Sequence, residues 1–267
     1  MSSQHSYLDF AVQTAALASE KLYNEFTKKS FTTRGTAKEI KTIYDEIADT
    51  IIKREIIQHY PKHSFLTEET GRVDKNSNYL WIVDPLDGTR NFVNGNPFFA
   101  VSIALWVKGR PMVGVIDAPM LKERYIAEKG KGSYLIDVRR NRTTKACVSH
   151  ISNLSQSYIV TCEGGSSDRN LLLELQSVLY REVYDMRKLG SAALECAWVW
   201  VGRADAYVSP CLSLWDIAAG VLFIKEAGGK LLDFSLQEYS MNDFLKDGSY
   251  DLVAVNASLS LPSFKSP

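Results

Sequence analysis

The stretch that decides the fold runs from Trp81 to Phe92 and reads Trp81-Ile82-Val83-Asp84-Pro85-Leu86-Asp87-Gly88-Thr89-Arg90-Asn91-Phe92. It begins as an apolar strand and then places two carboxylates, Asp84 and Asp87, three residues apart. Gly88 and the hydroxyl of Thr89 follow at once, where a turn or a helix should begin. Carboxylates at such a corner bind hard cations, and the backbone N–H groups beside them bind anions. These are the groups needed to hold a phosphate ester and attack it with water.

The composition is that of an ordinary globular enzyme. The chain has 267 residues, of which 45% are hydrophobic and 23% are charged. This length is enough for one large domain or two closely packed ones. Lys+Arg and Asp+Glu number 31 each, so no positive field attracts the protein to nucleic acid. We therefore expect no nucleic-acid partner.

Cysteine usage and the termini point to a reducing compartment. The cysteines show no metal-ligand spacing, and we interpret them as reduced thiols. They are Cys147, Cys162, Cys196 and Cys211. The segment 1–5 lacks the basic and apolar regions of a signal peptide, and the longest apolar runs are too short to cross a bilayer. We expect no membrane association and a cytoplasmic location.

Hydrophobic spacing predicts two helices before the first strand. The stripe from Tyr7 to Phe26 has helical periodicity. A second helix is predicted to begin at Thr36, where Thr36 and Glu39 fit a capping box, and to end before Tyr60. Its predicted buried face consists of Ile40, Ile43, Ile47 and Ile51.

The remaining pattern divides the chain into two halves. Up to about residue 136 the segments read as strands of one sheet, which are 79–83, 99–106, 113–117, 125–128 and 133–136. Beyond residue 149 strands and helices alternate: strands 158–163, 183–187, 204–208, 230–234 and 252–255, and helices 168–180, 191–201 and 215–227. We predict an α+β half at residues 1–145 and an α/β half at residues 146–267, packed closely as one unit.

Carboxylates are the candidate metal ligands. Glu68 and Glu69 follow one short strand, and Asp84 and Asp87 close the next. If those strands are neighbours, Glu68, Asp84 and Asp87 converge and repel one another unless cations lie among them. Oxygen-only ligands favour Mg²⁺. Alternatively, residues 84–88 form a solvated turn and the two glutamates are surface charge.

Three further side chains each allow two interpretations. Thr89 either caps a helix or binds the attacking water. Asp216, at the start of a helix, either complements the helix dipole or adds a metal ligand from the back half. Asp45 either pairs with Lys41 one turn earlier or serves the site.

These motifs together resemble the inositol monophosphatase family, which consists of Mg²⁺-dependent, lithium-sensitive phosphatases. The resemblance covers nearly the whole chain in order and spacing. Its segments are Glu68-Glu69, Trp81–Phe92, Trp215-Asp216-Ile217-Ala218-Ala219-Gly220 and Glu226-Ala227-Gly228-Gly229. It implies a layered αβαβα sandwich of the inositol monophosphatase and fructose-1,6-bisphosphatase type, and a homodimer.

The resemblance also implies roles for individual residues. Glu68, Asp84 and the Leu86 carbonyl would hold a first Mg²⁺, and Asp84, Asp87 and Asp216 a second. A third, weaker ion would lie near Glu68. Thr89 would orient the attacking water together with Asp45 and Glu68. The resemblance implies substrate contacts from Asp87, Gly88, Thr89, Gly190, Ser191, Ala192 and Asp216.

Two departures bear on the substrate. A glutamate that contacts inositol hydroxyls in many animal members is replaced by Ser209, so a preference for inositol is not secured. The loop near residue 34 differs from the usual family pattern, which has a lysine near the substrate phosphate. One interpretation is that Arg34 or Lys38 takes the role of that lysine. The other is that the loop is a solvated basic segment.

The prediction is a phosphomonoesterase for small polyol or sugar phosphates, first of all inositol-1-phosphate. Histidinol-phosphate phosphatase and archaeal-type fructose-1,6-bisphosphatase share the same metal apparatus and stay open. Asn91 argues against a 3′-phosphoadenosine 5′-phosphate phosphatase, which commonly has Gly or Glu there. A regulatory binding protein that retains the fold is the alternative from another class.

Overall fold

The computed structural model describes residues 6–28, 42–166, 168–245 and 248–264. The described residues form two sheets with helices on and between them. The helices are α1 (Tyr7–Thr27), α2 (Ile43–His59), α3 (Thr89–Val93), α4 (Arg169–Glu182), α5 (Ala192–Trp200) and α6 (Leu214–Ala227).

The front sheet contains eight strands in the order β2-β1-β3-β4-β5-β6-β7-β8. They are β1 (Ser64–Thr67), β2 (Gly71–Val73), β3 (Tyr79–Asp87), β4 (Ala100–Val107), β5 (Arg110–Ala118), β6 (Glu123–Glu128), β7 (Gly132–Asp137) and β8 (Arg142–Lys145). All neighbouring pairs are antiparallel except β1 and β3, which are parallel. The predicted front strands are therefore present, and the short polar strands β2 and β8 are additions that their composition did not reveal.

The back sheet contains five strands in the order β10-β9-β11-β13-β12. They are β9 (Tyr158–Thr161), β10 (Asp185–Arg187), β11 (Ala206–Leu212), β12 (Lys230–Leu232) and β13 (Tyr250–Val255). Strands β9, β10 and β11 run parallel, as alternating strands and helices favour, while β13 is antiparallel to β11 and to β12.

The elements stack in five layers, α-β-α-β-α. One apolar cluster lies between α1, α2 and the front sheet and includes Leu22, Ile52 and Trp81. A second lies between the two sheets around α5 and α6, where Trp200 and Phe223 stack with ring centroids 4.8 Å apart. A third, which includes Leu175 and Leu179 of α4, covers the outer face of the back sheet. The predicted layered sandwich is confirmed.

The second helix differs from its prediction. The predicted start at Thr36 and the residue Ile40 lie outside the described residues. The helix begins at Ile43, because Thr42 has an extended backbone and forms the capping box with Asp45. The predicted apolar face is wrong: Ile43 is 64% exposed. The buried residues of α2 are Asp45, Ala48, Asp49, Ile52 and Ile56. The helix is rotated so that its carboxylates, and not only its isoleucines, point inward.

None of the helices in the described part of the chain combines the length and the hydropathy that a membrane-spanning segment needs. The four cysteines form no disulfide and are free thiols.

Two leucines of α4 test the third apolar cluster against a matched control. Leu175 is 3% exposed and Leu173 is 65% exposed. We expect Leu175→Ala to lower the free energy of unfolding by about 2–5 kcal/mol, because it removes buried methyl groups and leaves a cavity. Leu173→Ala should change it by less than about 0.5 kcal/mol. Urea denaturation measures both, and equal effects would contradict the layer assignment.

Candidate active site

The parallel pairing of β1 with β3 brings the first two acidic motifs together. Thr67 lies opposite Val83, and the Glu68 N–H donates to the Val83 carbonyl at 3.2 Å. Glu68 therefore leaves β1 beside Asp84 of β3. Parallel neighbours end at the same edge of a sheet, so the two carboxylates share one corner. The convergence of Glu68 and Asp84 was predicted on the condition that their strands are neighbours, and β1 and β3 are neighbours.

Asp84 lies at the centre of this corner. It is 2% exposed, and its Oδ1 accepts from the Leu86 N–H at 3.0 Å. Burial raises the pKa of Asp84 well above its ordinary value, and Glu68, Asp87 and Asp216 raise it further. The main charged influences on Asp84 are thus three carboxylates and no basic side chain. Such a group either keeps its proton or attracts a cation.

Asp87 connects the front sheet with the back half. It is 6% exposed. Its carboxylate accepts from the Ser191 hydroxyl and from the N–H groups of Ala192 at 3.0 Å and Ala193 at 2.9 Å. These donors lie at the start of α5. Burial raises the pKa of Asp87 to about 6 against the opposing effect of these hydrogen bonds. Ser191 and Ala192, predicted as substrate contacts, therefore hold Asp87.

Asp216 enters from the first turn of α6. Its Oδ2 accepts from the Ser213 N–H at 2.7 Å, which completes a capping box. Burial raises the pKa of Asp216 well above its ordinary value, and Asp87 and Glu68 raise it further. Asp216 therefore lies at the N-terminus of α6, where its charge complements the helix dipole, and it is also close enough to Asp87 and Glu68 to be affected by their charges.

Gly88 turns the chain sharply after β3. Its φ of +90° lies in the left-handed region that favours glycine. A Cβ at this position would lie 3.0 Å from the Phe98 carbonyl oxygen. The turn needs glycine for both reasons, and it starts the short helix α3 at Thr89.

Thr89 is oriented by two acceptors and is not the cap of α3, which is Gly88. Its hydroxyl lies 2.8 Å from Asp45 Oδ1 and 3.0 Å from the Leu86 carbonyl. Asp45 is 2% exposed, and its other oxygen accepts from the Thr42 N–H at 2.8 Å. Burial raises the pKa of Asp45, and the bonds from Thr42 and Thr89 oppose that shift. Lys41, the alternative partner of Asp45, lies outside the described residues.

The segment before α5 forms the wall beside Asp87. Asn91 Nδ2 donates to the carbonyls of Leu189 at 2.7 Å and Gly190 at 3.2 Å. Glu195 Oε1 accepts from the N–H groups of the same two residues at 2.6 and 3.2 Å. Sequence reasoning assigned no site role to Glu195, although a single acidic residue in an otherwise apolar helix was a visible signal.

Ser209 does not reach this wall as a free hydroxyl. It is fully buried, and its Oγ lies 3.3 Å from the Pro210 carbonyl and 3.0 Å from the Cys162 sulfur. Arg34 and Lys38, considered for the phosphate, lie outside the described residues.

The donor chemistry of the corner fits Mg²⁺, because every candidate ligand is an oxygen and the carboxylates repel one another. Across the described ranges, however, no three His, Cys, Asp or Glu side chains are grouped as a ready-made metal site. The carboxylates of Asp87 and Asp216 are directed at backbone N–H groups. Each carboxylate still has further lone pairs beyond these hydrogen bonds.

A cavity of about 540 Å³ lies farther along the same face of the front sheet. Ile82, Trp106 and Trp215 contribute to its wall, and Arg72 and Lys108 contribute positive charge. None of the four carboxylates lines it. The candidate active site is instead the adjoining corner at the ends of β1 and β3.

The five-layer fold and the acidic corner are those of a phosphatase-type family. A model of the inositol monophosphatase family matches residues 3–259, and the chain belongs to this family. The family resemblance noted from the motifs is thereby confirmed.

Similar proteins carry two kinds of name. An inositol-1-monophosphatase from Mesorhizobium japonicum is 42% identical over 208 residues, which cover 77% of this chain and 74% of that protein. A protein named Nus factor SuhB from Pasteurella multocida is 35% identical over 235 residues, 85% of each chain. The crystal structure of extragenic suppressor protein suhB from Bartonella henselae matches with a TM-score of 0.82 and 33% identity, covering 94% of this chain and 93% of that one.

The raised pKa values predict how stability depends on pH without metal. Folded Asp87 keeps its proton up to about pH 6, whereas its ordinary pKa is 3.8. Between these values the unfolded chain binds fewer protons, so the free energy of unfolding should fall as pH rises. Asp84 and Asp216 act in the same direction.

Urea denaturation in a chelator at a series of pH values measures this effect. Asp87→Asn should make the free energy of unfolding depend less steeply on pH, and Asp137→Asn on the β7–β8 hairpin should not change this dependence. Adding Mg²⁺ at neutral pH should raise the stability, because an ion that binds the folded state alone stabilises it. A chelated wild-type protein whose stability does not change between pH 4 and 6 would contradict the electrostatic description.

Proposed function

We propose that this chain is a Mg²⁺-dependent phosphomonoesterase for small polyol or sugar phosphates, with inositol-1-phosphate as the first candidate. The observation that carries the proposal is the convergence of Glu68 and the buried Asp84 at the ends of paired strands, where burial first and then Glu68, Asp87 and Asp216 raise the pKa of Asp84. Family membership supports phosphatase chemistry. The ester itself is the part that the proposal adds.

The proposed ligand set follows from the oxygens at this corner. Glu68, Asp84 and the Leu86 carbonyl would hold one ion, Asp84, Asp87 and Asp216 a second, and a third would bind weakly near Glu68. The Leu86 carbonyl lies 3.0 Å from the Thr89 hydroxyl, which supports a ligand and a water-binding group at one place. Mg²⁺ bound here supplies positive charge that offsets the phosphate and makes nearby water more acidic.

The chain's own groups orient the nucleophile. When the Thr89 hydroxyl donates its proton to Asp45, its lone pairs are free to accept from a water. Asp45 is held in place by the Thr42 N–H at 2.8 Å. Asp45 and Glu68 then provide carboxylates for the proton that the water loses as it attacks phosphorus. We expect the N–H groups of Gly88 and Thr89 to bind the phosphate oxygens.

The alcohol half of the ester faces the segment before α5. Ser191 is 1% exposed and Ala192 is 7% exposed, and both donate to Asp87. Gly190 is exposed, so its backbone is the part of this segment that is open to an alcohol. Asp216 is the proposed site of the water that returns a proton to the leaving oxygen. The assembly proposed with this site is a homodimer.

A panel of phosphate esters tests the proposal. It comprises inositol-1-phosphate, fructose-1,6-bisphosphate, histidinol phosphate and 3′-phosphoadenosine 5′-phosphate, assayed with Mg²⁺. We expect the highest kcat/KM on inositol-1-phosphate. Activity confined to histidinol phosphate or fructose-1,6-bisphosphate would establish one of the alternative substrates instead.

A second role is favoured by one observation, since several relatives at 32–36% identity are named Nus factor SuhB. In this alternative the chain retains the fold but acts as a binding protein. The loss of turnover in a site variant distinguishes the two roles.

Asp87→Asn keeps the shape of the side chain and removes its charge. If the chain acts as an enzyme, we expect kcat to fall about a hundredfold or more, equivalent to about 2.7 kcal/mol in the barrier. Asp137→Asn, on the β7–β8 hairpin, is the control and should keep wild-type turnover. A cellular function that survives Asp87→Asn unchanged would support the binding role.

Thr89 tests the orientation of the water. Thr89→Val keeps the branched shape without a hydroxyl and should lower kcat about a hundredfold, the usual scale for losing such a group. Thr89→Ser keeps the hydroxyl and should keep most of the activity. Steady-state kinetics and circular dichroism measure activity and folding. Equal activity in the two variants would mean that Thr89 only starts α3.

A further inference from the structure

Glu195 is the only charged residue of helix α5. Its neighbours in the helix are alanine, leucine, cysteine, valine and tryptophan. The side chain is fully buried, with 0% exposure. Burying a carboxyl group in apolar surroundings costs free energy unless its oxygens are hydrogen-bonded. The hydrogen-bond partners of Glu195 therefore indicate its role.

The hydrogen bonds of Glu195 are concentrated on one oxygen. Oε1 accepts from the Leu189 N–H at 2.6 Å and from the Gly190 N–H at 3.2 Å. Oε2 is buried and has no hydrogen-bond partner in the described part of the chain. Burial accordingly raises the pKa of Glu195 to about 8. Replacing Glu195 with an apolar residue would remove the acceptor of these two N–H groups, whereas glutamine would keep a carbonyl oxygen in its place.

The two bonded N–H groups belong to the wall of the candidate site. Asn91, two residues after Thr89, holds the carbonyls of Leu189 and Gly190 through its Nδ2. Glu195 holds the N–H groups of the same two residues from the other side. The turn is thus fixed by donors and acceptors from two different helices.

The geometry of the turn makes it sensitive to this support. Gly190 has a φ of +82°, and a Cβ there would lie 3.3 Å from Asn91 Nδ2. The next residue, Ser191, donates its hydroxyl to Asp87. A shift of the turn would therefore move the backbone that faces the alcohol half of the ester.

We propose that Glu195 is a positioning residue: its buried carboxyl fixes the Leu189–Gly190 turn where the alcohol half of the substrate binds, and so sets selectivity among phosphate esters. This inference rests on the proposed phosphatase function. It assigns Glu195 no contact with the substrate. Its effect is transmitted through two backbone N–H groups.

The test compares two esters that differ in their alcohol. Inositol-1-phosphate presents hydroxyls to the turn, and p-nitrophenyl phosphate presents a flat ring without them. We expect Glu195→Leu to lower the ratio of their kcat/KM values about tenfold, because displacing a binding wall by a fraction of an ångström has effects of this order. The loss should appear mainly in KM for inositol-1-phosphate. Glu195→Gln keeps a carbonyl acceptor and should restore the ratio to within about threefold.

A second variant of α5 controls for general damage. Val199 is fully buried in the same helix, and Val199→Ala should lower the melting temperature by leaving a small cavity. Val199→Ala should leave the ratio of the kcat/KM values for the two esters at its wild-type value. Glu195→Leu should also lower the melting temperature, because the Leu189 and Gly190 N–H groups lose their acceptor. If Glu195→Leu lowers kcat/KM equally for both esters, or leaves the ratio of the two kcat/KM values unchanged, the inference is overturned.

Amide hydrogen exchange gives a readout that does not depend on turnover. The Leu189 and Gly190 amides should exchange faster in Glu195→Leu than in the wild type, and Glu195→Gln should restore their protection. If the wild type hydrolyses neither ester, the proposed function fails, and the exchange rates still decide whether Glu195 positions the turn. Unchanged exchange in Glu195→Leu would refute it.

Discussion

The repulsion among the carboxylates at the end of β3 is the constraint on which the rest of the site depends. Asp84 is almost wholly buried, and the charged groups that shift its pKa most are all acidic. A fold keeps such an arrangement only when N–H donors, protons or cations offset the repulsion. The donors are visible around Asp87 and Asp216. The remaining carboxylate repulsion is the physical reason for proposing divalent cations at this corner.

The same constraint joins the front sheet to helices α5 and α6. Asp87 ends a strand of the front sheet, but its hydrogen-bond donors come from the start of α5, more than 100 residues later in the chain. Asp216 comes from α6, which packs between the sheets. Helix N-termini carry partial positive charge and favour acidic groups. The candidate site therefore combines carboxylates at the end of β3 with the first turns of α5 and α6.

Much of the fold could be predicted from local pattern. The strands from residue 79 to 136 alternate or run apolar over lengths typical of strands, and the structure has a strand at each of them. The second helix was the failure, because isoleucine spacing suggested a face that is exposed at Ile43. The true face includes Asp45 and Asp49. Periodicity weighs hydrophobicity, so it cannot recognise a helix that turns carboxylates inward toward distant hydroxyl groups, here those of Thr89 and Thr70.

The local part of the candidate site could be predicted from sequence, but the contacts between distant residues could not. The Asp-Pro-Leu-Asp-Gly-Thr order marks a corner by itself, since Gly88 adopts a backbone that other residues avoid. The contacts of Asp87 with Ser191, and of Thr89 with Asp45, join residues 104 and 44 positions apart. No local pattern encodes which donor meets which acceptor over such separations. Sequence alone determined the strands other than the short polar β2 and β8, the acidic residue types and the family. Only the tertiary structure decided that Ser191 holds Asp87 and that Glu195 holds a turn, because burial and hydrogen-bond partners exist only once distant segments pack together.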